Sequence, residues 1–132
     1  MGLVFTDMQQ TDNPMNGACL DEPAEVRSLI RSFAGRLPFV FELRGSSGSM
    51  LTVGYATDYG FVQCSPDTGL PPYLVAVADG CANDAEAVEF LAGGTPTPIP
   101  LRFCMPIDRV EAIICHFLTH GAQSDVVAWE EV

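Results

Sequence analysis

His116 and His120 stand four residues apart within Met105–Gly121, the spacing at which two imidazoles share one helix face and could grip a metal ion together. A metal centre needs further ligands. No H-E-x-x-H sequence occurs, and no carboxylate lies at a spacing that completes the set. His120 also falls near the helix end, where a protonated imidazole meets the carbonyl end of the helix dipole favourably. Cys115 beside His116 pairs a nucleophile with a base, but adjacent side chains on a helix point about 100° apart and cannot hydrogen-bond to one another. Gly45-x-x-Gly48 and Gly93-Gly94 are too short to cradle a phosphate, since neither forms a G-x-G-x-x-G or P-loop sequence between a strand and a helix. Asp79, Asp84, Glu86 and Glu89 offer oxygen ligands, yet D-G-C-A-N-D-A-E lacks the regular ligand spacing of a calcium loop. The five cysteines (Cys19, Cys64, Cys81, Cys104, Cys115) are odd in number, scattered and without C-x-x-C, the pattern of reduced core thiols. The residues leave two readings open. One is a binding protein with no catalytic, cofactor or metal residues, and the other is a small cysteine- or histidine-dependent enzyme or metal-binding protein built on Cys115, His116 or His120.

Two segments have the periodicity of amphipathic helices. Asp21 can cap the first, whose opening turn holds Glu22, Pro23 and Glu25 and whose apolar residues Val26, Leu29, Ile30 and Phe33 recur at helical spacing until Gly35. Pro106 opens the second, where Val110, Ile113, Ile114, Phe117 and Leu118 form one broad stripe that ends at Gly121. Between them, Phe39–Leu43, Met50–Ala56, Phe61–Cys64 and Tyr73–Val77 are apolar runs separated by turn-forming stretches, which predicts an antiparallel meander. Local propensity in Asp84–Ala92 favours helix weakly. Pro96, Pro98 and Pro100 make Thr95–Leu101 an extended connector, a loop that cannot serve as an inner strand. Asp125–Trp129 reads as a closing strand, with Val127 and Trp129 on one face, so that Trp129 belongs to the core rather than to a surface. Residues 1–20 read as a poorly ordered or edge-strand lead-in that adds little to the core, followed by one domain over 21–132. Two helical stripes and one apolar sheet face are hidden together if both helices lie on that face, giving an α+β two-layer sandwich.

The chain is 132 residues long, one domain in size, and its 48% apolar and 17% charged composition excludes disorder. Seventeen acids face six arginines and no lysine, a net charge of −11 that repels phosphate backbones and so excludes direct nucleic-acid binding. The first residues have neither a basic start nor a long apolar run, so neither a secretory signal nor a membrane span is expected and a cytoplasmic location is. The charge is unevenly distributed. Gly45–Leu101 contains six acids and no base, which is either a solvated face or a landing surface for a basic protein.

Glu89–Gly94 (E-F-L-A-G-G), a proline-containing connector, Met105–Gly121 (M-P-I-D-R-V-E-A-I-I-C-H-F-L-T-H-G) and Val126–Glu131 (V-V-A-W-E-E) follow one another in an order that resembles immunity protein family 1 of bacterial polymorphic toxin systems. The F-V-F-E-L and G-Y-A-T-D-Y-G-F-V stretches also resemble that family, so the likeness spans roughly residues 21–132. It implies a strand over Val88–Gly94 against the local helical propensity. It implies a cytoplasmic antidote that binds a cognate toxin 1:1, with no cofactor of its own, and several members are paired with nucleic-acid deaminases. Such a toxin must attract a polyanionic strand, so its active-site face is basic and an acidic protein can occlude it. The family carries over no contact residues. The base-free middle segment therefore supplies the candidates: Asp58, Tyr59, Asp67, Tyr73, Asp79, Asp84 and Glu86, acids and anchoring tyrosines at expected turns and strand ends.

Overall fold

The computed structural model describes residues 2–8, 12–32, 39–45, 48–56, 59–77, 87–92, 95–120 and 127–131. Ten strands and two α-helices occur among these residues. They are β1 (Leu3–Asp7), β2 (Cys19–Leu20), α1 (Pro23–Arg31), β3 (Phe39–Arg44), β4 (Ser49–Tyr55), β5 (Tyr59–Pro66), β6 (Leu74–Val77), β7 (Ala87–Ala92), β8 (Thr95–Pro100), β9 (Met105–Pro106), α2 (Ile107–His120) and β10 (Ala128–Glu131). The main sheet runs β10-β6-β5-β4-β3-β1-β2, with β9 pairing the start of β5. All its pairings are antiparallel. The fold is α+β.

Strand alternation decides which face each side chain takes. Phe39, Phe41 and Leu43 of β3, Leu51, Val53 and Tyr55 of β4, and Val62 and Cys64 of β5 line one face and meet the stripes of both helices in a single buried cluster. Val26, Leu29 and Ile30 come from α1, and Val110, Ile113, Ile114, Phe117 and Leu118 from α2. Gly60 lets α2 approach, because a Cβ there would press on the Tyr55 ring and on Val110, both 2.9 Å away. Trp129 is half-buried against this cluster and Val127 is buried within it, as their shared strand face requires. The closing strand begins at Ala128, and residues 121–126, including Gly121, Asp125 and Val126, lie outside those described. Phe33 and Gly35 do so as well.

Helix α1 starts one residue later than its sequence suggests. Glu22 rather than Asp21 takes the cap position, and the Glu25 carboxylate accepts the N–H groups of Asp21 at 3.0 Å and Glu22 at 3.1 Å. One acid thus satisfies two amides at the entrance to the helix.

The sequence expectation fails at two elements. Residues before Asp21 contribute much more to the core than expected, because β1 is flanked by β2 and β3 and its alternate residues Leu3, Phe5 and Asp7 are buried, Phe5 with 0% exposure. The Phe5 ring packs tilted against Phe41 at 5.7 Å, and Phe41 meets Tyr55 edge to face at 5.8 Å. Thr95–Pro100 is a strand, not a loop. It forms a two-stranded sheet with β7, the strand that the family resemblance implied. Pro96, Pro98 and Pro100 occupy every second position opposite Leu91, Glu89 and Ala87, so Thr95, Thr97 and Ile99 supply the amides of the ladder.

The β7–β8 hairpin covers part of the sheet face away from the helices. Phe90 meets Phe61 edge to face at 4.8 Å and 80°, and both rings crowd the space where a Cβ of Gly54 would lie. Val40 and Cys104 complete this smaller cluster. Beside it, a 3-10 turn over Leu101–Phe103 is tied to β10 by the Arg102–Glu130 ion pair at 2.7 Å.

Two substitutions test the larger core. Phe5→Ala should lower unfolding free energy by about 3–5 kcal/mol in urea titration, the effect of removing a buried ring. Among the described residues the Tyr55 hydroxyl is buried without a hydrogen-bond partner. Tyr55→Phe should therefore leave the urea midpoint unchanged or raise stability by about 1 kcal/mol, because a buried orphan polar group is costly.

Candidate functional site

Of the seven contact candidates, Tyr59, Asp67 and Tyr73 lie among the described residues; Asp58, Asp79, Asp84 and Glu86 lie outside them. Tyr59 opens β5 opposite Pro106 and is 40% exposed. Asp67 follows the far end of the same strand, eight residues on and about 26 Å away at 3.3 Å per residue. The structure thus places Asp67 and Tyr73 on one loop and sets Tyr59 apart.

The segment from Pro66 to Tyr73 is fixed by local bonds. The Asp67 N–H donates to the Gly48 carbonyl at 2.9 Å, the Gly69 N–H to the Pro66 carbonyl at 3.1 Å, and the Tyr73 hydroxyl to the Gly69 carbonyl at 2.6 Å. Gly69 has φ +80°, a conformation a residue with a Cβ rarely adopts. This closed loop displays Leu70 at 63% exposure between an acid and a tyrosine. Leu70 was not among the sequence candidates. Its signal was present in its neighbours, since a leucine between Gly69 and Pro71-Pro72 belongs to no strand or helix stripe and has no core to enter.

The cysteine and histidine group has a different geometry from a nucleophile and its base. The His116 and His120 rings pack on each other, centroids 4.4 Å apart, whereas half-buried Cys115 feels Arg27 and Glu111. Burial, reinforced by Glu111 and opposed by Arg27, holds the Cys115 thiol above its ordinary pKa. Burial pushes Cys104 up to about 11. These shifts favour the thiol over the nucleophilic thiolate. Among the described residues, no group of three His, Cys, Asp or Glu side chains is placed to hold a metal ion. Among the same residues, no helix is long and apolar enough to cross a membrane.

At one end of the sheet the Pro66–Tyr73 loop presents an exposed leucine between an acid and a tyrosine. The sequence matches the family described as Immunity protein Imm1 over residues 16–131. The chain belongs to that family. Membership assigns it a toxin-neutralising immunity role and a cognate toxin as its partner. The match begins at Asn16, so it takes in β2 and part of the loop before it as well as the domain expected from residue 21. No curated protein matches the chain.

The thiol environments make a direct prediction. Iodoacetamide at pH 7.5 should label Cys104 and Cys115 more slowly than free cysteine, with labelling rising as pH approaches each raised pKa, as read by peptide mass spectrometry. Rapid labelling of Cys115 at neutral pH would restore the nucleophile reading.

Proposed function

We propose that this Imm1 protein neutralises a toxin that acts on nucleic acid, a deaminase in the first instance, by laying acidic surface over the toxin's basic substrate face in a 1:1 complex. It acts in the cytoplasm and performs no catalysis. The observation that carries this reading is the base-free stretch Gly45–Leu101 in an immunity-family chain of net charge −11. A toxin that draws in a phosphate backbone presents cationic groups, and complementary charge accelerates encounter with the protein that covers them. The contact face includes Asp58, Tyr59, Asp67, Tyr73, Asp79, Asp84 and Glu86. Asp67 and Tyr73 flank Leu70, so charge can guide approach while the leucine and tyrosine rings and methyls supply the close contact.

Titration against the toxin encoded beside this chain tests the reading. Toxin activity should vanish at an equimolar dose, and the association rate should fall as salt rises. Replacing Asp58, Asp79 and Asp84 together by lysine should slow association at least tenfold at low salt, the sign of lost electrostatic steering. An unchanged rate in that variant rejects the acidic face.

A further inference from the structure

The register of the main sheet places a second acidic feature at the same end as Asp67. Leu20 pairs with Leu3, Val4 with Arg44, Arg44 with Met50, and Met50 with Ser65. Asp21 and Asp67 therefore leave the sheet at one end, about 19 Å apart across four strand spacings. A protein partner of ordinary footprint spans that distance, since one side of a standard interface covers about 800 Å².

Beside Asp21 an open groove of about 480 Å³ runs along α1. Buried Leu20 and Leu29 form its floor, and Met15, Ala24, Glu25, Ser28 and Ser32 its walls. Met15 is 45% exposed and stands at the mouth of the groove, where an incoming apolar side chain would meet it. Its position is set by a network. The Asp7 N–H donates to Asn16 Oδ1 at 2.7 Å, Asn13 Nδ2 to Asp7 Oδ2 at 2.8 Å, and the Met15 N–H to Asn13 Oδ1 at 2.8 Å. Asp7 is buried, so this turn is anchored in the sheet itself. Ordering a loop before binding removes that entropic cost from the association.

The surroundings of the groove select the occupant. Asp12, Asp21, Glu22 and Glu25 are exposed and no base precedes Arg27 in the sequence. Desolvation and the carboxylates of Asp21 and Glu25 hold the nearby Cys19 thiol above its ordinary pKa. Arg27 is engaged with Glu111 at 3.9 Å, and Arg31 stands exposed in the last turn, so the helix is acidic at its entrance and basic at its exit.

We infer that the groove receives an apolar side chain from the cognate toxin, with a neighbouring lysine or arginine of the toxin seated over Asp21 and Glu22. This rests on the immunity reading above and adds a contact region outside the base-free middle segment. The fit is that of one apolar anchor in a pocket ringed by charge, the arrangement that concentrates binding energy at protein interfaces.

The experiment uses the full chain and the neighbouring toxin. Ser28→Trp fills the groove from an exposed helix position, and Asp21→Lys with Glu22→Lys reverses the acids that seat the toxin's cation. Circular dichroism and thermal melting verify that each variant is folded. Ser28→Trp should weaken toxin binding at least tenfold, and the double reversal should slow association several-fold at low salt. In the unaltered protein labelled with ¹³C-methyl methionine, the Met15 methyl resonance should shift on complex formation. If the toxin binds and is inhibited but folded Ser28→Trp binds within twofold of the parent and the Met15 methyl does not move, the groove assignment is overturned and the inhibitor reading stands. If Ser28→Trp does not fold, the Met15 methyl decides alone. If the unaltered chain does not bind the toxin, both readings fall.

Discussion

The molecule depends on one sheet face being apolar at every second residue across β3, β4 and β5. That face hides both helical stripes at once, and neither α1 nor α2 could bury its stripe without it. The pairing is exacting: slipping β4 by one residue against β3 would turn Leu51, Val53 and Tyr55 away from the helices and bring Met50, Thr52 and Gly54 under them. Gly54 marks the same register from the other side. Its missing side chain makes room for Phe61, and Phe61 is what Phe90 of the hairpin packs on. One alternation therefore settles both what the helices cover and where the hairpin docks.

Two turns at the ends of the strands are held by their own bonds. The Pro66–Tyr73 loop bonds chiefly to itself and to the neighbouring turn, and the Asn13–Gly17 turn bonds to β1, so each holds its shape without a partner. Both expose one large apolar side chain beside acids. A protein that binds a cognate toxin benefits from such preformed features, because little ordering is left for the moment of contact.

Much of this fold is legible in the sequence. The helical stripes of α1 and α2 and the runs of β3 to β6 are long, strongly patterned segments whose burial follows from local spacing. Strand β1 is less visible, although L-V-F-T-D does alternate. Five residues followed by a turn-rich stretch carry little weight on their own, and what buries Phe5 is pairing with Leu43, far along the chain. Strand β8 is hidden for the opposite reason: three prolines read as a break, and only their alternation shows that the remaining amides can still form a ladder. Segment β7 looks weakly helical by composition and becomes a strand because β8 pairs with it. The candidate contact residues are legible as charge but not as place. No periodicity constrains a surface acid, so sequence put Tyr59 with Asp67 where β5 holds them at opposite ends, and the exposure of Leu70 and Met15 went unread because an apolar residue in a turn has no stripe to belong to.

The prolines of β8 have a further effect on what can attach to this molecule. In an antiparallel ladder the positions not bonded to the partner strand direct their amides outward, and here those positions are Pro96, Pro98 and Pro100. Among the described residues no strand pairs with that margin of the hairpin, which thus has carbonyls and no hydrogen to donate at three consecutive outward sites, the Pro100 carbonyl accepting from the Cys104 thiol. Another extended chain laid against it would find half of its own bonds unanswered, which guards against fibrous stacking of copies and leaves side-chain docking, rather than strand addition, as the means of capture on that margin.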